Sequence, residues 1–159
     1  RLGERHVSID DQRHHALPLV CEPVTMKISQ LVAQFFAVLP IGCVLEEDQV
    51  TRNLRGAVRV YCGYRRLTNA QPADGIHTPI DEQAAAIDAQ DFDLTASELV
   101  LIEPLWQLKN DRENATAFEA SRGEGADPFG RSVAECDAAI EQYLLALPAK
   151  AFSFEVRSI

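Results

Sequence analysis

The sequence lacks several features that would assign a function directly. No apolar stretch approaches the ~20 residues that a helix needs to cross a bilayer, which argues against a membrane protein. No two cysteines share the C-x-x-C spacing, so zinc ribbons and redox pairs are without their signature. The cysteines are scattered at Cys21, Cys43, Cys62 and Cys136. In a mainly helical chain this pattern is typical of small buried hydrophobic side chains, and we interpret it so.

Glycine-containing catalytic motifs are missing as well. Gly123-Glu124-Gly125 lacks the Gly-Lys-Ser/Thr ending of a phosphate-binding loop, and it follows a predicted helix instead of a strand. We interpret it as a helix C-cap and hinge. Gly130-Arg131-Ser132-Val133-Ala134 falls short of a Gly-x-Ser-x-Gly nucleophile elbow, and Ser132 is better explained as a helix N-cap. The sequence therefore predicts no catalytic residues, no cofactor and no metal ligands.

Negative charge is what the chain has in excess. The 24 Asp and Glu residues outnumber 15 Lys and Arg, which gives a net charge of −9 and a pI near 4.8. An acidic surface repels phosphates, so DNA reading through phosphate contacts is disfavoured, whereas surrounding DNA without gripping it is compatible. With 159 residues, 47% of them hydrophobic, we expect one globular domain with an arm.

The C-terminal half contains two complete signals for the N-terminus of a helix. Thr95-x-x-Glu98 and Ser132-x-x-Glu135 are capping boxes, in which each side chain satisfies an otherwise unpaired backbone N–H. Apolar residues at helical spacing follow each box and predict helices over 96–121 and 133–147, joined as a hairpin. We expect Pro104 to kink the first helix and Pro148 to terminate the second.

The rest of the chain also predicts mainly helix. Apolar spacing predicts a helix over 26–39, capped by Thr25 or Ser29 and stopped by Pro40. The segment 46–67 combines strand formers with a helical apolar stripe, and its charge order favours helix. A short helix is expected over 78–86.

The predicted architecture is therefore a mainly α bundle of about four helices, spanning 26–148, with an extended arm at each end. Residues 149–159 form the C-terminal strand or arm, because the segment from Ala151 to Arg157 alternates apolar and polar side chains. Such a strand needs a partner, so we predict that it contacts a neighbouring subunit. Residues 1–25 are expected to be a flexible or partner-bound arm, from an upstream start or from processing, with export as a minor alternative.

A dense polar stretch on the third long helix gives the candidate site residues. On a helix, Lys109 lies next to Glu113 and Glu119 next to Arg122, which pairs opposite charges. One hypothesis is a carboxylate site with Glu113 or Glu119 as acid or base. We favour a salt-bridged face or a subunit contact, since no nucleophile or pocket is indicated. The predicted interface residues come from this stretch and from the C-terminal strand: Arg112, Glu113, Glu119, Arg122, Phe152, Phe154 and Val156.

The histidines have no comparable support. His6, His14 and His15 lie near acidic residues in a segment without strong periodicity, so we interpret them as part of a solvated arm. His77 stands alone in a predicted loop and is interpreted in the same way.

Several segments of the C-terminal half resemble virion proteins of tailed bacteriophages. They are Glu103-Pro104-Leu105-Trp106, Arg112-Glu113-Asn114-Ala115, Glu119-Ala120-Ser121-Arg122-Gly123, Phe129-Gly130-Arg131-Ser132-Val133 and Leu147-Pro148-Ala149-Lys150-Ala151-Phe152. The nearest class is the head-to-tail connector, or adaptor, proteins. The resemblance covers roughly the last 60 residues.

The resemblance implies a short helical structural subunit, not an enzyme, that forms a ring below the portal in the virion, assembled in the host cytoplasm. Its implied partners are further copies of itself, the portal protein and tail or neck proteins, with double-stranded DNA passing through unbound. An acidic lumen suits this, because it repels phosphates and lets the duplex slide. The alternatives are a capsid decoration or minor capsid protein, a small helical enzyme using Glu113, Glu119 and a histidine, and a cytosolic binding module.

Overall fold

The computed structural model describes residues 25–69, 91–121 and 130–152, and within them the chain is mainly helical, as predicted. Four helices and one small antiparallel sheet make up these ranges. In chain order they are β1 Thr25–Lys27, α1 Ile28–Ala37, α2 Glu47–Cys62, β2 Asp93–Thr95, α3 Ala96–Ser121 and α4 Val133–Ala151. The predicted N-terminal arm, the helix over 78–86 and all four histidines lie outside the described residues.

Both capping boxes form as the sequence predicts. Glu98 accepts hydrogen bonds from the backbone N–H of Thr95 at 2.8 Å and from its hydroxyl at 2.8 Å. At the start of α4, Glu135 accepts from the backbone N–H of Ser132 at 2.8 Å, and Ser132 Oγ accepts from the N–H of Glu135 at 3.3 Å. The hydrogen bonds from the Ser132 backbone and hydroxyl lower the pKa of Glu135. These local contacts fix where both helices of the hairpin begin.

The small sheet was not predicted and corrects the start of α1. Thr25 pairs with Thr95, and Lys27 pairs with Asp93, so the helix begins at Ile28 and not at residue 26. Neither predicted cap is the N-cap residue, because β1 ends where the helix begins. Strands of three residues are too short to show a recognisable alternation of apolar and polar side chains.

An acidic side chain from a distant segment stabilises the first turn of α1. Asp91 accepts from the backbone N–H of Ser29 at 3.0 Å and from its hydroxyl at 2.7 Å. These two bonds lower the pKa of Asp91. A carboxylate at a helix N-terminus satisfies free N–H groups and complements the helix dipole.

The ambiguous segment 46–67 is a helix, and it forms the centre of the core. The predicted stripe Val50, Leu54, Val58 and Tyr61 is buried, each residue at most 1% exposed. Burying one such aliphatic side chain stabilises the fold by about 1.5–3 kcal/mol. The helix ends at Cys62, earlier than predicted, at the turn that begins with Gly63.

The helical hairpin of α3 and α4 packs against this core, and α4 is longer than predicted. Pro104 lies inside α3, and α4 continues through Pro148 to Ala151. The predicted stop at Pro148 was wrong, because buried Leu147 and Ala151 hold the last turn against the core. The N–H of Phe152 bonds to the carbonyl of Pro148 at 2.9 Å and closes that turn.

The same finding corrects the C-terminal strand. Ala151 is the last residue of α4 and Phe152 is its helical C-cap, so neither is the beginning of a strand. The remaining predicted strand residues, 153–157, lie outside the described residues. Among the described residues no helix is both long and apolar enough to cross a membrane.

Candidate interaction site

A polar cluster between α2 and α3 contains the first predicted site residue. Glu113 accepts hydrogen bonds from the guanidinium of Arg52 and, at 2.7 Å, from the side-chain amide of Asn53. The same amide nitrogen donates to Asn110 Oδ1 at 3.0 Å. The Glu113 side chain is only 23% exposed. Because all its named partners lie on α2, Glu113 joins two helices of this chain.

The expected pair of Lys109 with Glu113 does not form. Within the described segments Lys109 takes part in no hydrogen bond or ion pair, and its ammonium lies over Gly56 of α2. Burial lowers the pKa of Lys109, and the nearby charges of Arg112 and Arg59 lower it further. Lys109 and Glu113 lie one helical turn apart, as the spacing predicts. The Glu113 carboxylate, however, pairs with Arg52 of α2.

Arg112 and Glu119 connect α3 to α4. Arg112 Nε donates to Asp137 Oδ1 at 2.5 Å, and this hydrogen bond is the main cause that raises the pKa of Arg112. Glu119 Oε1 accepts from the backbone N–H of Val133 at 3.1 Å, at the first residue of α4. Arg122, the predicted partner of Glu119, lies outside the described residues. These contacts hold the hairpin together.

The remaining predicted interface residues come from the C-terminal segment. Phe152 is 54% exposed at the end of α4. Phe154 and Val156 lie outside the described residues. The carboxylates proposed for catalysis, Glu113 and Glu119, have separate structural partners. No group of three or more potential metal ligands exists within ranges 25–69, 91–121 and 130–152.

A second surface, not predicted from the sequence, is an apolar ridge formed by residues 38–44 between α1 and α2. Its exposed side chains are unusually apolar: Val38 is 81% exposed, Leu39 45%, Ile41 97% and Val44 53%. Connecting loops normally present polar residues to water. Exposed large apolar side chains that lie together mark interaction surfaces more often than isolated ones do.

The ridge has a defined conformation. Gly42 has a φ of 81°, the left-handed region that glycine adopts at little cost. The N–H of Cys43 bonds to the carbonyl of Pro40 at 3.1 Å. Asn114 of α3 then holds both sides of the turn, accepting from Val44 N–H at 2.9 Å and donating to the Gly42 carbonyl at 3.2 Å. The apolar side chains are therefore presented on a fixed backbone.

A groove of about 480 Å³ runs along one side of the ridge, between α1 and α3. Its lining is mixed apolar and polar: Leu31, Gln34, Phe35, Val38, Pro40, Cys43, Leu45, Glu103, Trp106, Gln107, Asn110, Asp111 and Asn114. The Phe35 and Trp106 rings lie 5.6 Å apart, and Trp106 Nε1 donates to the Val50 carbonyl at 3.1 Å. Two aromatic rings thus line the groove in fixed positions.

One group in the groove lining is unsatisfied. Asn110 is 3% exposed, and its Nδ2 has no hydrogen-bond partner among the residues that the structure describes. A buried donor without a partner costs about 1–3 kcal/mol.

The ridge has a sequence signal that the helical and strand periodicities do not capture. Residues 35–45 are almost entirely apolar, and Pro40 and Gly42 break the helical pattern within them. A turn signal inside an apolar run predicts an apolar loop. The groove gives no such signal, because its walls come from helices more than 60 residues apart.

Comparison with known proteins does not assign a family to the chain. No protein-family model, no curated protein and no solved structure matches the chain.

Proposed function

We propose that the chain is a structural subunit of a tailed-phage virion, a head-to-tail connector that forms a ring below the portal around the DNA channel. The observation that carries the proposal is the apolar ridge at residues 38–44, with Ile41 97% exposed on a hydrogen-bonded turn. Exposing large apolar side chains to water is unfavourable in free energy, and covering them with protein removes this unfavourable contribution.

Covering the ridge supplies part of the free energy that assembly needs. Fully burying one aliphatic side chain contributes about 1.5–3 kcal/mol. Val38 and Ile41 are both largely exposed, so covering these two contributes about 3–6 kcal/mol per subunit. Association costs about 4–15 kcal/mol in lost freedom of motion. The ridge is therefore a major contributor to a stable contact, and the rest of the interface must come from surrounding surface.

The acidic balance supports the ring around DNA. The net charge of −9 leaves an excess of carboxylates to face a channel. Negative charge in a lumen repels phosphates, so the duplex passes without being held. The resemblance of the C-terminal segments to connector proteins supports the same assignment.

Native mass spectrometry of the purified full chain, with negative-stain electron microscopy, tests the proposal. At about 10 μM we expect one closed ring of identical copies with a central hole, as closed heterologous contacts produce. A strictly monomeric chain contradicts it. Quantitative mass spectrometry of purified virions should give the copy number of one ring, and a copy number large enough to cover the head surface contradicts the connector assignment.

A further inference from the structure

We propose that the apolar ridge of one subunit is seated in the groove of the next copy of the same chain, with Ile41 as the anchor. The inference rests on the proposed function for its ring arrangement, and it names the residues of the contact. The occupant is a second copy because each chain carries both the projecting and the receiving surface.

Within the described residues, no part of the same chain covers the tip of the ridge. Ile41 follows Pro40, which lines the groove, yet its side chain is 97% exposed. The turn at Gly42 and the two hydrogen bonds with Asn114 fix this orientation. Ile41 is therefore preorganised to enter another molecule, and preorganisation lowers the entropy lost on binding.

The groove offers the complementary chemistry. Phe35 and Trp106 supply apolar walls, and the volume of about 480 Å³ is within the range of sites that enclose a ligand.

The charges around the two surfaces are also complementary. Arg131 and Ile41 together line a second recess of about 390 Å³, which shares Pro40, Asp111 and Asn114 with the groove. Glu103 and Asp111 line the groove. Within the described ranges none of these three charged side chains forms an ion pair. Seating Ile41 in a neighbouring groove brings Arg131 toward Glu103 of that neighbour, and this pair of opposite charges favours a second copy as the occupant.

Matched substitutions of exposed residues test the contact. Ile41→Glu removes the anchor, and Leu145→Glu is its control, because Leu145 of α4 is 83% exposed. Gln34→Trp fills the groove, and Gln142→Trp is its control at another exposed helical position. By sedimentation equilibrium we expect both test variants to weaken self-association at least about tenfold, and both controls to keep it. Circular dichroism and thermal unfolding establish that each variant is folded.

Mixing the two test variants provides the decisive step. The Ile41→Glu chain keeps an intact groove, and the Gln34→Trp chain keeps an intact ridge. Each alone should be a single copy, whereas a mixture with one chain ¹⁵N-labelled should give mixed pairs in native mass spectrometry. The inference is overturned if the mixture contains no mixed pairs. It is also overturned if the Ile41→Glu variant self-associates as strongly as the wild type.

The outcomes separate this contact from the connector assignment. A wild-type ring that survives Ile41→Glu leaves the connector function standing and removes the ridge contact. Wild-type pairs that depend on Ile41 but never close into a ring support the contact and contradict the connector. Loss of association in Leu145→Glu alone places the interface on α4 and overturns the ridge proposal.

Discussion

Asn114→Ala probes the rigidity of the apolar ridge most simply. The amide side chain makes two hydrogen bonds to the turn, to Val44 N–H at 2.9 Å and to the Gly42 carbonyl at 3.2 Å. Such bonds contribute about 0.5–1.5 kcal/mol each, and partial exposure places these two in the lower half of that range. Alanine regains up to about 0.7 kcal/mol of helix propensity. We expect a net loss of about 1 kcal/mol in the free energy of unfolding.

The assay is urea unfolding followed by circular dichroism, in an Ile41→Glu background so that assembly does not contribute. For a chain of this size the expected loss corresponds to about 2–4 °C in Tm. Hydrogen exchange adds a local readout, since the Val44 amide should lose protection.

Thr116→Ala is the matched control for Asn114→Ala. Among the residues in ranges 25–69, 91–121 and 130–152, the Thr116 hydroxyl bonds only to the Arg112 carbonyl of its own helix, at 2.9 Å. Its removal should therefore be neutral or slightly stabilising. If Asn114→Ala is as stable as Thr116→Ala and the Val44 amide stays protected, the ridge is not held by Asn114 and the reasoning is refuted.

Three further predictions concern the rest of the fold. Glu98 is 2% exposed and accepts hydrogen bonds from two backbone N–H groups and a hydroxyl. Glu98→Ala should therefore lower the free energy of unfolding, measured in urea, by about 3 kcal/mol or more. A loss under about 1 kcal/mol, roughly that of one neutral hydrogen bond, contradicts this. The pKa of Asp91 is lowered in the fold, so its contribution is present above a pH of about 4 and is lost as the pH falls through the folded pKa. Urea midpoints of wild type and Asp91→Asn should therefore differ at pH 7 and converge toward pH 3, and a constant difference contradicts the assignment. Burial raises the pKa of the Cys62 thiol to about 11, with the charge of Glu98 adding to the effect, and Cys136 is also buried. Iodoacetamide mapping by mass spectrometry should label both only after unfolding, and rapid labelling of the native chain contradicts their burial.

Local signals in the sequence predicted much of the fold. The capping boxes at Thr95 and Ser132 are completed within four residues, so their geometry follows from the sequence itself. The helical stripe of α2 outweighed its strand formers because one continuous face could be buried. The predicted helix ends were less accurate. The helix α4 continues beyond Pro148 to Ala151, because Leu147 and Ala151 are buried.

The site depended on contacts that no local pattern contains. Glu113 pairs with Arg52, 61 residues away, and not with Lys109 one turn away. The ridge is held by Asn114, 70 residues from Val44. Long-range partners are chosen by how helices pack, so spacing on one helix indicates only which pairs are possible.

Electron cryo-microscopy of the assembled wild-type chain tests the central claim most directly, by locating Ile41 relative to its neighbours. The account predicts a closed ring in which Ile41 contacts Phe35 and Trp106 of the adjacent copy and is no longer accessible to solvent. A particle whose subunits meet elsewhere, with Ile41 still facing water, would contradict it.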